Sequence, residues 1–371
     1  MRFGLASTII VSSTLSNFAS AFPATQIPLV SDAHTGTSIT PQLFAELEEL
    51  ARIVDISYCV GMTGIHKPFT CLSRCDDFPS FELITSWNTG PLMSDSCGYI
   101  TYDHNPRIPR IILAFRGTYS IANTIVDLST VPQSYVPYLG DNETVTTTTE
   151  PSCENCTVHS GFLTSWHHTR EAIVPQLNEA LLQHPDYQVT LVGHSLGGAV
   201  ALLAGLEFQA RGWNPQITTF GEPKVGNQAF VAHIDAEFVS SKEKSMYRRV
   251  THADDPVVLL PPTEWGYRPH AGELYITKPA LPPAFIDIQE CTGDSDKQCS
   301  AGSDKSLVDD EVLAVADDES RTEGFIPARY KLWQLFFSHR DYFWRLGVCM
   351  KGGDPWDWKG RYETREPDGE V

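Results

Sequence analysis

The pentapeptide Gly193-His194-Ser195-Leu196-Gly197 follows the apolar run Val189-Thr190-Leu191-Val192 and precedes a long stretch of small and apolar residues. That context narrows the fold more than any other feature of the chain. A serine between glycines at the junction of a buried strand and a helix sits on a strained turn, where a Cβ on either flank collides with the neighbouring strand or helix. The turn lifts the hydroxyl out of the sheet and aims the first backbone N–H groups of the helix at developing negative charge. A serine hydroxyl is a weak nucleophile at neutral pH, so it needs an imidazole as base and a carboxylate to orient that imidazole.

The surrounding pattern supplies a scaffold for such a turn. Strands are expected over residues 98–102 and 110–115, a helix over 162–182, a strand over 187–192, a helix over 196–209 and a strand over 216–220. This alternation implies a mostly parallel sheet with helices on its faces, an α/β fold. Leu43, Phe44, Leu47, Leu50, Ala51 and Val54 recur at helical spacing behind Thr40 as N-cap and Pro41 at the first helical position, predicting an amphipathic helix that runs toward Tyr58. The stretch holding Cys59, Cys71, Cys75 and Cys97 reads as irregular, and residues 145–149 as a surface loop. A helix near 227–237, strands near 248–251 and 273–277, and a last helix over 329–337 complete the scaffold.

Charge excludes some partners. The 371 residues carry 27 Lys and Arg against 46 Asp and Glu, a net charge of −19 with no local basic patch. Phosphate backbones repel such a chain, so nucleic acid is not an expected partner. Residues 285–325 hold twelve acidic and three basic side chains, and this low-hydrophobicity insertion is expected to be a long mobile surface loop. At the N-terminus, Met1 and Arg2, the apolar stretch from Gly4 to Leu15 and the small residues Ala19-Ser20-Ala21 read as a secretory signal over residues 1–21. Ser12, Ser13, Ser16 and Asn17 interrupt it, leaving it short of the roughly 20 apolar residues that span a bilayer. No later segment is long and apolar enough for a stable span. Residues 22–38 read as a pro-segment or loose arm, 39–352 as one domain and 353–371 as a polar tail. Secretion lets the nine cysteines of the mature chain form persistent disulfides, and the odd number leaves one over.

On a nucleophile turn of this kind the acid and then the histidine follow the serine in the chain. The histidines after Ser195 are His233, His252, His270 and His339, and His339, which opens a hydrophobic segment after the last helix, is the candidate base. Asp254 and Asp255, just past a strand end, are the candidate acids, with Asp235 as a helical rival. An oxyanion hole needs two converging donors: one is the backbone N–H of Leu196, and Thr118, after the strand ending Phe115-Arg116-Gly117, can supply the other.

With these pieces in place, the chain resembles the fungal class 3 lipases, α/β-hydrolases that include secreted triacylglycerol lipases and related feruloyl esterases. The likeness runs from about Leu43 to Cys349. It rests on Gly193 to Gly197, on Phe115-Arg116-Gly117-Thr118 with Ile121 and Asp127-Leu128, and on Val158-His159-Ser160-Gly161-Phe162. It rests also on Gly221-Glu222-Pro223-Lys224-Val225-Gly226-Asn227, on Asp255 ahead of Leu260-Pro261-Pro262, and on His339 with Tyr342 and Phe343. The resemblance implies the α/β-hydrolase fold, picks Asp255 over Asp254, assigns Thr118 to the oxyanion position and gives Asp127 the task of holding its hydroxyl. His159 and Arg116 become scaffold residues. A short lid is implied over residues 119–131, beginning at Tyr119, with Ile121, Ile125 and Leu128 on one apolar face. Thr124 stands where the family commonly has tryptophan, so this lid is expected to seat less firmly on lipid. The resemblance pairs Cys59 with Cys349, Cys71 with Cys75 and Cys153 with Cys156; Cys291 and Cys299 are paired by proximity, leaving Cys97. Asn142 and Asn155 head glycosylation sequons, the first in a polar loop and the second inside the Cys153–Cys156 loop.

The reading is a secreted serine hydrolase of lipid carboxylic esters, a triacylglycerol lipase. Ser195, His339 and Asp255 form the triad, with Thr118 and Leu196 as oxyanion donors. It needs no cofactor or metal, because acyl transfer is complete within these groups. Its expected partner is a lipid ester at a lipid–water interface. The alternatives are a feruloyl-type or other carboxylesterase, a phospholipase or, from a different class, a non-catalytic hydrolase-fold binding protein.

Overall fold

The run Arg110–Arg116 sends its side chains alternately into two apolar layers: Ile111, Leu113 and Phe115 join one hydrophobic cluster, Ile112 and Ala114 the other. A strand apolar on both faces must be covered on both, which places it inside a sheet. In the computed structural model, which describes residues 1, 38–90, 96–118, 132–138, 153–238, 246–304 and 338–350, that strand is β3. Its companions are β1 (Phe81–Asn88), β2 (Cys97–Asp103), β6 (Gln188–His194), β7 (Gln216–Phe220), β9 (Tyr247–His252), β11 (Glu273–Ile276) and β12 (Ile288–Glu290). Among the described residues they form an eight-stranded sheet in the order β1-β2-β3-β6-β7-β9-β11-β12. The pairs from β3 to β11 are parallel; the two pairs on the β1 side and β11 with β12 are antiparallel. All of these elements lie in the compact unit Gly36–Val371.

Helices fill the crossovers that parallel neighbours require. Helix α1 (Pro41–Ile56) starts where Thr40 Oγ1 accepts the Leu43 N–H at 3.2 Å, with Pro41 in the first turn, and buries Leu47, Leu50, Ala51, Ile53 and Val54. Helices α2 (Ser160–Gln183), α3 (Leu196–Ala210) and α4 (Gln228–Phe238) contribute to the opposite core cluster. Helix α3 is buried from Leu196 through Phe208, so its apolar run is a core signal. A second sheet pairs β10 (Tyr267–Arg268), β8 (Gly226–Asn227), β5 (Thr157–His159) and β4 (Pro132–Ser134). The consequence for function is positional: β3, β6 and β9 end at Arg116, His194 and His252, so Thr118, Ser195 and Asp255 all leave the same carboxyl edge of the sheet.

Two expectations need correction. The cysteine-rich stretch read as irregular contains β1, whose register slips between Leu83 and Thr85; the slip breaks the two-residue alternation that marks a strand. The acidic insertion, expected to be a mobile loop from residue 285, instead starts with a single turn at Phe285–Asp287 and the strand β12 on β11. It then holds the Cys291–Cys299 disulfide and the helical turn Ser300–Ser303. Ile288 is fully buried, and Lys224 Nζ meets Asp304 Oδ2 at 2.8 Å inside the protein. Net charge did not reveal these anchors because a few apolar and paired residues hold the segment down. The remainder of the insertion, the expected helix over 329–337, the signal, the polar tail after residue 352, the lid residues Tyr119, Ile121, Thr124, Ile125 and Leu128, and Asp127 and Asn142 lie outside the described residues.

Candidate active site

Ser195 stands at the N-cap of α3 with φ 58° and ψ −131°, a left-handed conformation that costs a non-glycine residue energy and is held by its surroundings. The flanking glycines make the turn possible. A Cβ on Gly193 would lie 2.3 Å from the Gly197 carbonyl oxygen, and one on Gly197 would lie 2.4 Å from that of Phe115. The Ser195 N–H donates to the Phe220 carbonyl at 2.9 Å, fastening the turn to β7. As the first residue of α3, Leu196 has an N–H with no acceptor within the helix, available to an incoming oxyanion.

The structure brings Asp255 and His339 together. His339, on the turn Ser338–Arg340, is fully buried, and its Nδ1 lies 3.0 Å from both carboxylate oxygens of Asp255. Asp255 also accepts the Tyr342 hydroxyl at 2.7 Å and the Val257 N–H at 2.9 Å. Burial alone raises a carboxyl pKa. Here the charge of His339, with the hydrogen bonds from His339, Tyr342 and Val257, outweighs burial and holds Asp255 below its ordinary value. An ionised Asp255 fixes the proton on His339 Nδ1 and leaves Nε2 as the basic nitrogen. That Nε2 is buried with no hydrogen-bond partner among the described residues, as a base awaiting a proton requires.

The rival residues have other tasks. Asp254 is exposed, with φ 67°, and Asp235 accepts the Ala271 N–H at 3.1 Å. His270 binds Glu222 at 3.1 Å, His252 the Lys278 carbonyl at 3.1 Å, and His233 faces Tyr135. His159 caps α2 by accepting the Phe162 N–H at 3.4 Å, and Arg116 donates to the Val60 and Gly117 carbonyls. Thr118 closes the described part of the strand-end loop beside Gly117, where a Cβ would come within 2.9 Å of the Ser195 Cβ. The pairs Cys59–Cys349, Cys71–Cys75, Cys153–Cys156 and Cys291–Cys299 are all formed, and buried Cys97 stands outside them. Glu273, Cys291 and Cys299 cluster like metal ligands, but the two sulfurs are joined in the disulfide and supply no thiolate.

Two residues at the site make contacts that the sequence does not assign. Tyr342 drew notice only as part of a motif; its spacing three residues after His339 was the available signal. Tyr58, whose hydroxyl donates to His194 Nδ1 at 2.5 Å, gave no signal, because the two are 136 residues apart.

Comparison with known proteins places the chain in a family. The model of the family "Lipase (class 3)" matches residues 112–265. "Secreted mono- and diacylglycerol lipase 2" of Gibberella zeae is 53% identical over 360 residues, covering 90% of this chain and 88% of that protein. "Lipase A" of Sodiomyces alcalophilus is 48% identical, covering 94% and 92%. Among solved structures, the Lip2 lipase of Yarrowia lipolytica superposes with a TM-score of 0.70 at 32% identity, covering 85% of this chain and 98% of that one. The chain therefore belongs to the class 3 lipase family, whose α/β-hydrolase fold it shares.

Proposed function

We propose that this secreted lipase cleaves acylglycerol esters by a two-step acyl-enzyme route on Ser195, His339 and Asp255. The observation that carries the reading is the buried His339–Asp255 pair, with its free basic nitrogen, on the sheet edge where the strained Ser195 turn also emerges. Ser195 Oγ attacks the ester carbonyl as His339 Nε2 takes its proton, and the N–H groups of Leu196 and Thr118 bind the oxyanion. His339 then protonates the departing alcohol. Water, deprotonated by His339, releases the fatty acid in the second step. Asp255 stabilises the imidazolium formed in each step, and Tyr342 supports Asp255 with its hydroxyl. Asp127 is assigned to hold the Thr118 hydroxyl, and residues 119–131 to cover the site away from lipid.

The name of the Gibberella zeae relative supports partial glycerides as substrates. No described helix is long and apolar enough to cross a membrane. The test is a panel of emulsified mono-, di- and triolein beside a soluble short-chain ester and a feruloyl ester, run with the parent and Ser195→Ala. We expect glyceride hydrolysis by the parent and at least about a thousandfold loss in the variant. Activity on the soluble or feruloyl ester with none on any glyceride would overturn the substrate class, and undiminished turnover by clean variant protein would overturn the site.

A further inference from the structure

His194, the variable residue of the Gly193 to Gly197 turn, is almost wholly buried and bonded at both ring nitrogens. Nε2 lies 3.0 Å from the His339 backbone carbonyl, an acceptor only, so Nε2 carries the proton. Nδ1 must then accept, and it does so from the Tyr58 hydroxyl at 2.5 Å. The Tyr58 oxygen in turn accepts the Gly117 backbone N–H. Every donor in this chain finds an acceptor, and only one tautomer of His194 allows it. Burial, and next the neighbouring His339, depress the His194 pKa to about 3, so the ring stays neutral. The His194 ring also stacks on that of His339, with centroids 4.8 Å apart and planes 28° apart.

The two ends of the chain are the backbone groups whose spacing acyl transfer depends on. Gly117 directly precedes Thr118, the oxyanion donor, and His339 is the base. Tyr58 is itself held: it follows α1, sits in the turn Ser57–Cys59 and precedes the disulfide from Cys59 to Cys349. From this geometry we infer that Tyr58 and His194 are positioning residues, a buried relay that sets the separation between the oxyanion loop and the loop carrying His339. The inference rests on the hydrolase reading above. It adds that two residues outside the triad, acting through the backbone groups of Gly117 and His339, govern turnover.

The test uses Tyr58→Phe, His194→Gln and the double variant on a soluble short-chain ester, with rates expressed per active site titrated by a phosphonate. Tyr58→Phe deletes one oxygen and orphans both Gly117 N–H and His194 Nδ1. Gln at 194 can still donate to the His339 carbonyl, whereas Asn reaches only toward Tyr58, so His194→Gln should retain more turnover than His194→Asn. Misplacement by a fraction of an ångström lowers kcat about 10- to 100-fold with KM within about threefold. Because one chain is broken at two points, the double variant should be about as slow as the worse single variant. A kcat within twofold of the parent in folded Tyr58→Phe, or in His194→Gln should the first not fold, overturns the relay. A parent that hydrolyses the ester and a Ser195→Ala variant that does not keep the hydrolase reading intact in that event; an inactive parent would instead overturn that reading.

Discussion

Two buried carboxylates show how surroundings decide charge at the level of single residues. Asp255 stays ionised because the charge of His339 and the hydrogen bonds from His339, Tyr342 and Val257 outweigh burial. Asp55, at the end of α1, accepts the Gly347 N–H at 2.8 Å and the Trp344 indole N–H at 3.4 Å, with Arg74 Nε 3.8 Å away. There burial wins and pushes the carboxyl up to about 6. The unfolded chain releases this proton near pH 4, the folded one near pH 6. Stability from this group is therefore present below about pH 4 and falls as pH rises toward 6. Asp55→Asn removes that fall, so urea midpoints measured from pH 4 to 7 should show the variant gaining on the parent by up to about 3 kcal/mol across the window. A difference between the two proteins that stays constant with pH contradicts this. The proposed triad illustrates what sequence reveals at this scale. Ser195 and His339 were legible because chain order and the glycine-flanked turn restrict them. Asp254 and Asp255 were not separable from their own pattern, since only the left-handed turn at Asp254 points one outward and the other in. The Tyr58–His194 contact depends on side chains far apart in the chain and left no pattern to read.

Among elements, the central strands and helices were legible to within a few residues, because apolar runs and small-residue stretches report burial directly. The misses share a cause: β1 is bent by a bulge, the strands of the second sheet span only two or three residues, and β12 lies inside an acidic segment. Periodicity needs length, and these elements lack it. The acidic segment is fastened by chemistry that composition hides. Lys224 Nζ donates to Asp304 Oδ2 and to Thr263 Oγ1, both at 2.8 Å, and Thr263 Oγ1 donates to Asp304 at 3.0 Å. Burial, partly offset by the charge of Asp304, brings the Lys224 pKa down to about 8. Asp304→Asn leaves the buried ammonium without its counter-charge and should cost about 3 kcal/mol at pH 7, read as a lower Tm. The unfolded chain holds this proton more tightly than the folded one, so the deficit should narrow as pH rises through about 8, where Lys224 of the parent is neutral too. An unchanged Tm at pH 7 would show that the pair does not anchor the segment.

At the scale of the whole molecule, charge and cysteine content separate by region. Of the net −19, −9 belongs to residues 285–325, so nearly half of the acidity is concentrated in one segment of the sequence. The Cys59–Cys349 disulfide joins residues 290 apart and fastens the segment after His339 to the end of α1. Secretion, shared with its relatives, provides the oxidising setting in which four disulfides persist. The fold's larger lesson is convergence: three strands end on one edge, and each delivers one residue of the proposed acyl-transfer site. The claim that this edge makes Ser195 a nucleophile is tested most directly by treating the parent with a fluorophosphonate and mapping the adduct by peptide mass spectrometry. We predict one adduct per chain, on Ser195, with hydrolysis lost in proportion to labelling. Inactivation through a label on another residue, or full hydrolysis retained by protein fully labelled at Ser195, would contradict the account.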